Sequence, residues 1–452
     1  MIIFYPDNLK IRRSVTQRII HTQGFKQISI LLVILYSLVT TAGVAQNKPT
    51  SKTYAVPDSL FIRHLLEKNP GKFKKFVDHP DKYKIQIIYT RIDRDKDNVP
   101  SFKEFDYNVS RQNYFYCASL VKLPCTLLAL EKLNALHIPG LDKDSPMLTD
   151  STGPCQTGTL IDTTSATGYP SLAQYIRRML LVSDNTAYSR CYEFLGQEYI
   201  HTQLTNKGYP DAFIIQRFDS KCGTEDNQTT NAIDFMDVNT KKDIYKQAGI
   251  TNTNLQIHPL GKPVAGKAYI DKDEKKINEP KDFSHSNFLP LEDITGILRS
   301  VLFPQSADSS RRFQITETDR NFVLHYLSML PRESDHPAYR TKEYYDSFKK
   351  YLIYGDNRKP ILQDSIRIFN IVGQSYGFVS DVAYVCDIKH GVEFMLSAVI
   401  YANEDEVIND NRYDYKTVAL PFLADLGKAI YSYDRKRKRS AKPDLKAFKF
   451  TY

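Results

Sequence analysis

Two side chains open the chemistry of this sequence. Ser119 and Lys122 lie in Tyr116-Cys117-Ala118-Ser119-Leu120-Val121-Lys122-Leu123-Pro124, and an apolar run to Leu136 follows. Positions three apart share one face of a helix, so the Ser119 hydroxyl and the Lys122 amine can meet at a helix start. A serine hydroxyl is a weak nucleophile, and an amine held neutral by burial takes its proton. A second polar group stands 64 residues downstream, where Ser183-Asp184-Asn185 interrupts two helical patterns. A second serine brought near the first passes a proton to a leaving nitrogen. An amide side chain such as that of Asn185 could hold a substrate carbonyl.

The elements that must position these groups follow from periodicity. A helix is expected over 58–68 with Asp58 as its N-cap, then strands over 84–93 and 102–109. The nucleophile helix ends near Leu136. Helices are expected over 171–182, 186–195 (closed by Gly196), 291–303 and 319–330. Three strands come late, over 366–372, 378–386 and 392–402, with Lys389-His390-Gly391 turning the last hairpin. A long helix over 415–431 closes the chain. Short turns between successive strands imply antiparallel pairing. The expected fold is α/β (α+β): an antiparallel five-stranded sheet built from both chain ends and flanked by helices, with an all-helical lobe. The site would fall in the cleft between them.

Composition bounds the class. The 452 residues are 42% hydrophobic and 25% charged, ordinary for a globular chain with a sizeable core. The net charge is +9, of which +4 lies in residues 1–45. Much of the rest lies in Arg435-Lys436-Arg437-Lys438-Arg439, read as a solvated, partly disordered end and not as a nucleic-acid patch. Residues 28–45 form an apolar run after Lys26 and end in Gly43-Val44-Ala45, the pattern of a cleaved secretory signal peptide. A membrane anchor over 28–45 is the alternative. The expected organisation is a signal peptide 1–45, a linker 46–56, a hydrolase domain 57–435 and a basic tail 436–452. The Lys- and Asp-rich stretch 237–282 is expected as a polar surface insertion. Export implies a periplasmic location and permits disulfides. The six cysteines (117, 125, 155, 191, 222, 386) allow fifteen full pairings, and buried free thiols are an equal alternative.

Two other motifs compete. Asp93, Asp95, Asp97 and Glu104 occupy positions 1, 3, 5 and 12 of a calcium loop. Asn98 replaces the position-6 glycine and the flanks read as strands, so a solvated hairpin turn is expected instead. Gly373-Gln374-Ser375-Tyr376-Gly377 fits G-x-S-x-G, the strand-to-helix nucleophile elbow. A strand follows it here, and His390 is the only later histidine. No metal-ligand spacing and no phosphate loop occurs, so no cofactor or metal is expected.

With these residues in place, the chain resembles the penicillin-recognising serine hydrolases, specifically the class A β-lactamase-like family. Ala118 to Pro124 looks like the family's nucleophile helix, and Leu181 to Ala187 looks like its second motif. Tyr376 to Val385 is similar to the strand after its third. The resemblance implies that Ser119 attacks an amide or β-lactam carbonyl to give an acyl-enzyme. Lys122 would be base or proton relay, Ser183 would protonate the leaving nitrogen and Asn185 would bind the substrate amide. Gly373, Gln374 and Ser375 would line the site. The Ser119 N–H and one from Gln374 or Ser375 would form the oxyanion hole. The expected partner is a small β-lactam or peptidoglycan-type peptide, and the chain is expected to be a monomer. Two departures stand out. The family's Lys-Thr-Gly aligns with Ile371-Val372-Gly373, so its cation is missing, and the deacylating glutamate has no clear counterpart, Glu225 being nearest. A D-Ala-D-Ala carboxypeptidase and a catalytically impaired envelope binding protein are the alternatives.

Overall fold

The computed structural model describes residues 59–151, 156–218, 224–254, 256–361 and 365–452. The expected signal peptide, linker and Asp58 cap, together with Cys155, Cys222 and the Glu225 side chain, lie outside the described residues.

Five strands form the central sheet. β1 (Gln86–Arg94) and β2 (Pro100–Tyr107) come early; β3 (Ile366–Ser375), β4 (Phe378–Asp387) and β5 (Val392–Tyr401) come late. All neighbours are antiparallel, in the order β3-β4-β5-β1-β2. The two chain ends join between β1 and β5, with Gln86 opposite Val399 and Thr90 opposite Met395. β4 and β5 are buried at every residue because both faces of the sheet are covered. That is why they read as continuous apolar runs and not as alternating ones.

On one face lie α1 (Ser59–Glu67), α2 (Pro70–Asp78) and the C-terminal helix α9 (Leu420–Lys436). Their Phe73, Phe422 and Leu423 pack on Tyr89, Val372 and Phe394 of the sheet. The other face carries α3 (Lys122–Ala135), α4 (Leu172–Val182), α5 (Asn185–Leu195), α6 (Gln197–Asn206), α7 (Leu291–Leu302) and α8 (Glu317–Ser328). α3 is buried nearly all round, as its unbroken apolar sequence requires. Each fully buried leucine on it contributes about 1.5–3 kcal/mol. Among the described residues, no helix is long and apolar enough to cross a membrane.

Several readings change. α2 was not expected, although Pro70 at its start and Phe73/Phe76 on its inner side are helix signals. The basic tail is not a free solvated end. Buried Asp434 takes Arg437 at 2.7 Å, Arg439, and the Tyr89 hydroxyl at 2.5 Å, while Leu445 and Phe448 enter the core. The stretch 237–282 carries short strands: 243–247 extends a small sheet with 147–149 and 233–236, and 268–270 pairs with 407–408. Ala265 and Ala268 are buried at its base.

The acidic turn is the hairpin expected. Asp95 Oδ1 accepts from the amides of Asp97 (2.9 Å) and Val99 (2.8 Å), and Asn98 takes φ +60° where a helical calcium loop has glycine. The G-x-S-x-G stretch is a two-residue hairpin turn, Tyr376 (φ +52°) and Gly377 (φ +83°), with strands on both sides. His390 sits at the opposite end of β4, about 30 Å from Ser375 at strand rise, and bonds Asp387 at 2.6 Å. No triad can form there. Of the cysteines, 117, 125, 191 and 386 are free and buried.

Candidate active site

Ser119 sits in a single 3-10 turn, Ala118–Val121, that runs into α3 at Lys122. Ala118, just before it, has φ +45°, an uncommon conformation for a residue with a side chain. The turn is held by its neighbour strand. A Cβ on Gly373 would lie 2.4 Å from the Cys117 carbonyl and 2.7 Å from Ser380 Oγ, so glycine is what lets β3 lie against the Ser119 turn.

Lys122 is fully buried. Its Nζ donates to the Ser183 carbonyl, to Ser183 Oγ at 3.0 Å and to Asn185 Oδ1 at 2.7 Å. Lys122 thus ties the helix start to Ser183 and Asn185 of the second motif. Ser183 Oγ accepts from the amine, which leaves its own hydroxyl proton free to be donated. Ser119 is half-buried, and its hydroxyl makes no hydrogen bond to another described residue.

The second motif is placed by a designed break. Ser171 caps the start of α4, accepting from Gln174 N at 3.1 Å. Ser183 ends that helix in the left-handed region (φ +62°). Asp184 then caps α5 through Ala187 N at 2.8 Å. Arg178 holds Asp184 at 2.8 Å and Asp162 at 3.0 Å, which locks the corner.

The third wall is the free edge of β3. Residues flanking a two-residue hairpin form a hydrogen-bonded pair, here Ser375 with Phe378. By the two-residue period, 371, 373 and 375 bond inward to β4, and 368, 370, 372 and 374 face outward. The Ile368 carbonyl agrees, since it accepts from Lys350 Nζ at 2.9 Å. The amide on the free edge beside Gly373 is therefore that of Gln374, not Ser375. The Gln374 side chain is turned away and accepts from Tyr351 OH at 2.7 Å. Ile371 is 3% exposed and packs in the apolar core on the α3 side.

Sequence reasoning missed the floor of the site. The Phe218 ring lies 5.4 Å from Lys122 Nζ, and Ser189 Oγ accepts from Phe218 N (3.1 Å) and donates to its carbonyl (2.8 Å). Arg217 clasps the two ends of the loop that follows. It bonds buried Glu193 at 2.7 Å and Asp226, and its amide donates to Asn227 Oδ1 at 2.8 Å. Burial pushes the Glu193 carboxyl up, against the pull of Arg190 and Arg217. Among the described residues, no cluster of His, Cys, Asp and Glu is arranged to hold a metal.

Residues 81–246 match the model of the Beta-lactamase enzyme family. That span holds Ser119, Lys122, Ser183 and Asn185 and stops before β3. Solved structures similar to this chain include PBP-A (12% identity, TM-score 0.44, 84% of this chain and 99% of that one). The β-lactamase from Burkholderia phymatum (12%, 0.43, 84% and 99%) and that from Sphaerobacter thermophilus (11%, 0.41, 82% and 96%) are similar too. No curated protein matches the chain.

Proposed function

We propose that the chain is an exported serine hydrolase of the class A β-lactamase type, acylated at Ser119 by a β-lactam or a related peptidoglycan-type amide. The observation that carries this reading is Lys122 bridging the nucleophile turn to Ser183 Oγ and Asn185 Oδ1. In the proposed step, Ser119 Oγ bonds the carbonyl carbon as the amide C–N bond breaks. In the step Lys122 acts as the neutral amine: its lone pair takes the Ser119 proton, it passes a proton to Ser183 Oγ, and the Ser183 proton goes to the leaving nitrogen. The amides of Ser119 and Gln374 take the oxyanion, and Asn185 holds the substrate amide. Glu225 is the residue we assign to deacylation. Export rests on the apolar segment 28–45, with a periplasmic monomer as the working form.

Incubation with a fluorescent penicillin, followed by intact-mass analysis, tests the reading. One adduct per chain that Ser119→Ala abolishes is expected; no adduct overturns it.

A second reading is favoured by Ile371, whose apolar side chain fills the place of the third-motif lysine. The acyl-enzyme then turns over slowly, as in a penicillin-binding carboxypeptidase or an envelope binding protein. Ile371→Lys separates these outcomes. A sharp gain in nitrocefin hydrolysis, with melting monitored alongside, marks an impaired β-lactamase. Release of D-alanine from a D-Ala-D-Ala peptide marks the carboxypeptidase.

A further inference from the structure

The inserted stretch before α7 ends in the pair Lys281–Asp282, hydrogen-bonded to Val264–Ala265. Lys281 is half-buried, yet its charge is not answered by an ion pair among the described residues. Its neighbour Asp282 is turned elsewhere, to Lys262 at 3.6 Å and to the Ser284 amide at 2.8 Å. The Lys281 ammonium instead lies over three rings: Tyr269 at 5.1 Å, Phe283 at 5.8 Å and Tyr376 at 6.0 Å.

Two of those rings connect to the Ser119 turn, with Phe283 fully buried behind the half-buried Tyr269 and Tyr376. Tyr376 is the hairpin residue two positions beyond Gln374, and its ring packs on Tyr116 at 4.9 Å and Phe283 at 5.3 Å. Tyr116 lies three residues before Ser119 and meets Phe283 at 5.7 Å. One aromatic wall thus joins the nucleophile turn, the hairpin of the free edge and the insertion. The platform is fixed: Ala268–Ile270 pairs with Val407–Ile408, and a Cβ on Gly266 (φ +74°) would strike the Glu406 carbonyl at 2.8 Å. Burial lowers the Lys281 pKa, against the opposing pull of the Asp282 charge.

We propose that Lys281, set on the Tyr269–Phe283–Tyr376 wall, is a specificity residue that binds a carboxylate of the substrate beside the hairpin end of β3. This rests on the hydrolase reading above and adds a cation supplied by the insertion. The half-buried Tyr269 and Tyr376 rings orient the apolar part of such a ligand, and the ammonium selects its charge.

Ligand-observed NMR on Ser119→Ala, which needs no acylation, supplies the test. The probes are benzylpenicillin, its methyl ester and carbenicillin, which adds a side-chain carboxylate. Lys281 should favour one carboxylate-bearing member over its less charged partner by about tenfold, and Lys281→Met should reduce that ratio to about one. Lys281→Arg should retain most of it, which separates charge from folding. A loss confined to the ester pair places the ring carboxylate on Lys281; a loss confined to the carbenicillin pair places the side-chain one. Ratios unchanged in Lys281→Met, or no binding by any probe, overturn the proposal. Adduct formation on the Ser119 protein reports separately on the hydrolase reading.

Discussion

Lys122 Nζ lies 3.0 Å from Ser183 Oγ, joining residues 61 positions apart in the chain. In the proposed mechanism this amine links the Ser119 turn to the group that protonates a leaving nitrogen. Lys122→Met should lower the acylation rate by about 10²–10⁴-fold. Time-resolved intact mass with a fluorescent penicillin checks this. Equal rates in the variant and the parent would remove Lys122 from the path.

Ser183 occupies a left-handed position that glycine accepts without cost. Ser183→Gly deletes the hydroxyl while keeping the corner. Acylation should fall by about 10²–10⁴-fold while the melting temperature stays within about 3 °C. A large drop in melting temperature would show that the hydroxyl is chiefly structural.

Asp184 both caps α5 and receives Arg178. Asp184→Ala should cost about 2–3 kcal/mol, about 1 for the cap and the rest for a guanidinium left without one partner. Asp184→Asn keeps a capping oxygen and should cost about half as much. Denaturant unfolding of the two variants gives the comparison.

Gly373→Ala forces a methyl into the Cys117 carbonyl. The turn must move, and the expected cost is about 1–3 kcal/mol with a matching loss of acylation. Unchanged acylation in a folded variant would mean that β3 and the Ser119 turn are not mechanically coupled.

His201 Nε2 accepts the Ile214 N–H at 3.1 Å, which requires a neutral ring. Burial brings its pKa down to about 4. The unfolded chain binds this proton below about 6.5, the folded one only below about 4. The contribution is therefore complete above pH 6.5 and is lost as pH falls toward 4, at most about 3 kcal/mol. His201→Gln, whose amide oxygen can accept the same bond, should flatten the stability slope between pH 6.5 and 4 in urea titrations.

The sheet was legible because β-branched runs separated by tight turns leave few pairings. Ser183-Asp184-Asn185 was legible because serine at a helix end and aspartate at a helix start are local signals. Both survive without knowledge of the rest of the chain. The Arg217–Glu193 clasp, the Tyr351–Gln374 bond and the Phe218 floor depend on groups that meet only after folding, and no local spacing announces them. The tail misled for the same reason. Five consecutive basic residues suggest solvent, but Asp434 lies one turn earlier on α9 and turns two of them back onto the sheet. The choice between Gln374 and Ser375 needed the hairpin register, which one residue of slip would reverse.

The seam between β1 and β5 has a consequence for biosynthesis. Strand 86–94 leaves the ribosome some 300 residues before its partner 392–401. β3, whose Gly373 seats the Ser119 turn, stands on the far side of β5 and β4 in the sheet. The closing of so long a loop makes late contacts slow to form. A nascent or C-terminally truncated chain thus carries Ser119, Lys122 and Ser183 but lacks the wall that seats them. The seat of the Ser119 turn is therefore complete only once the last third of the chain has been made.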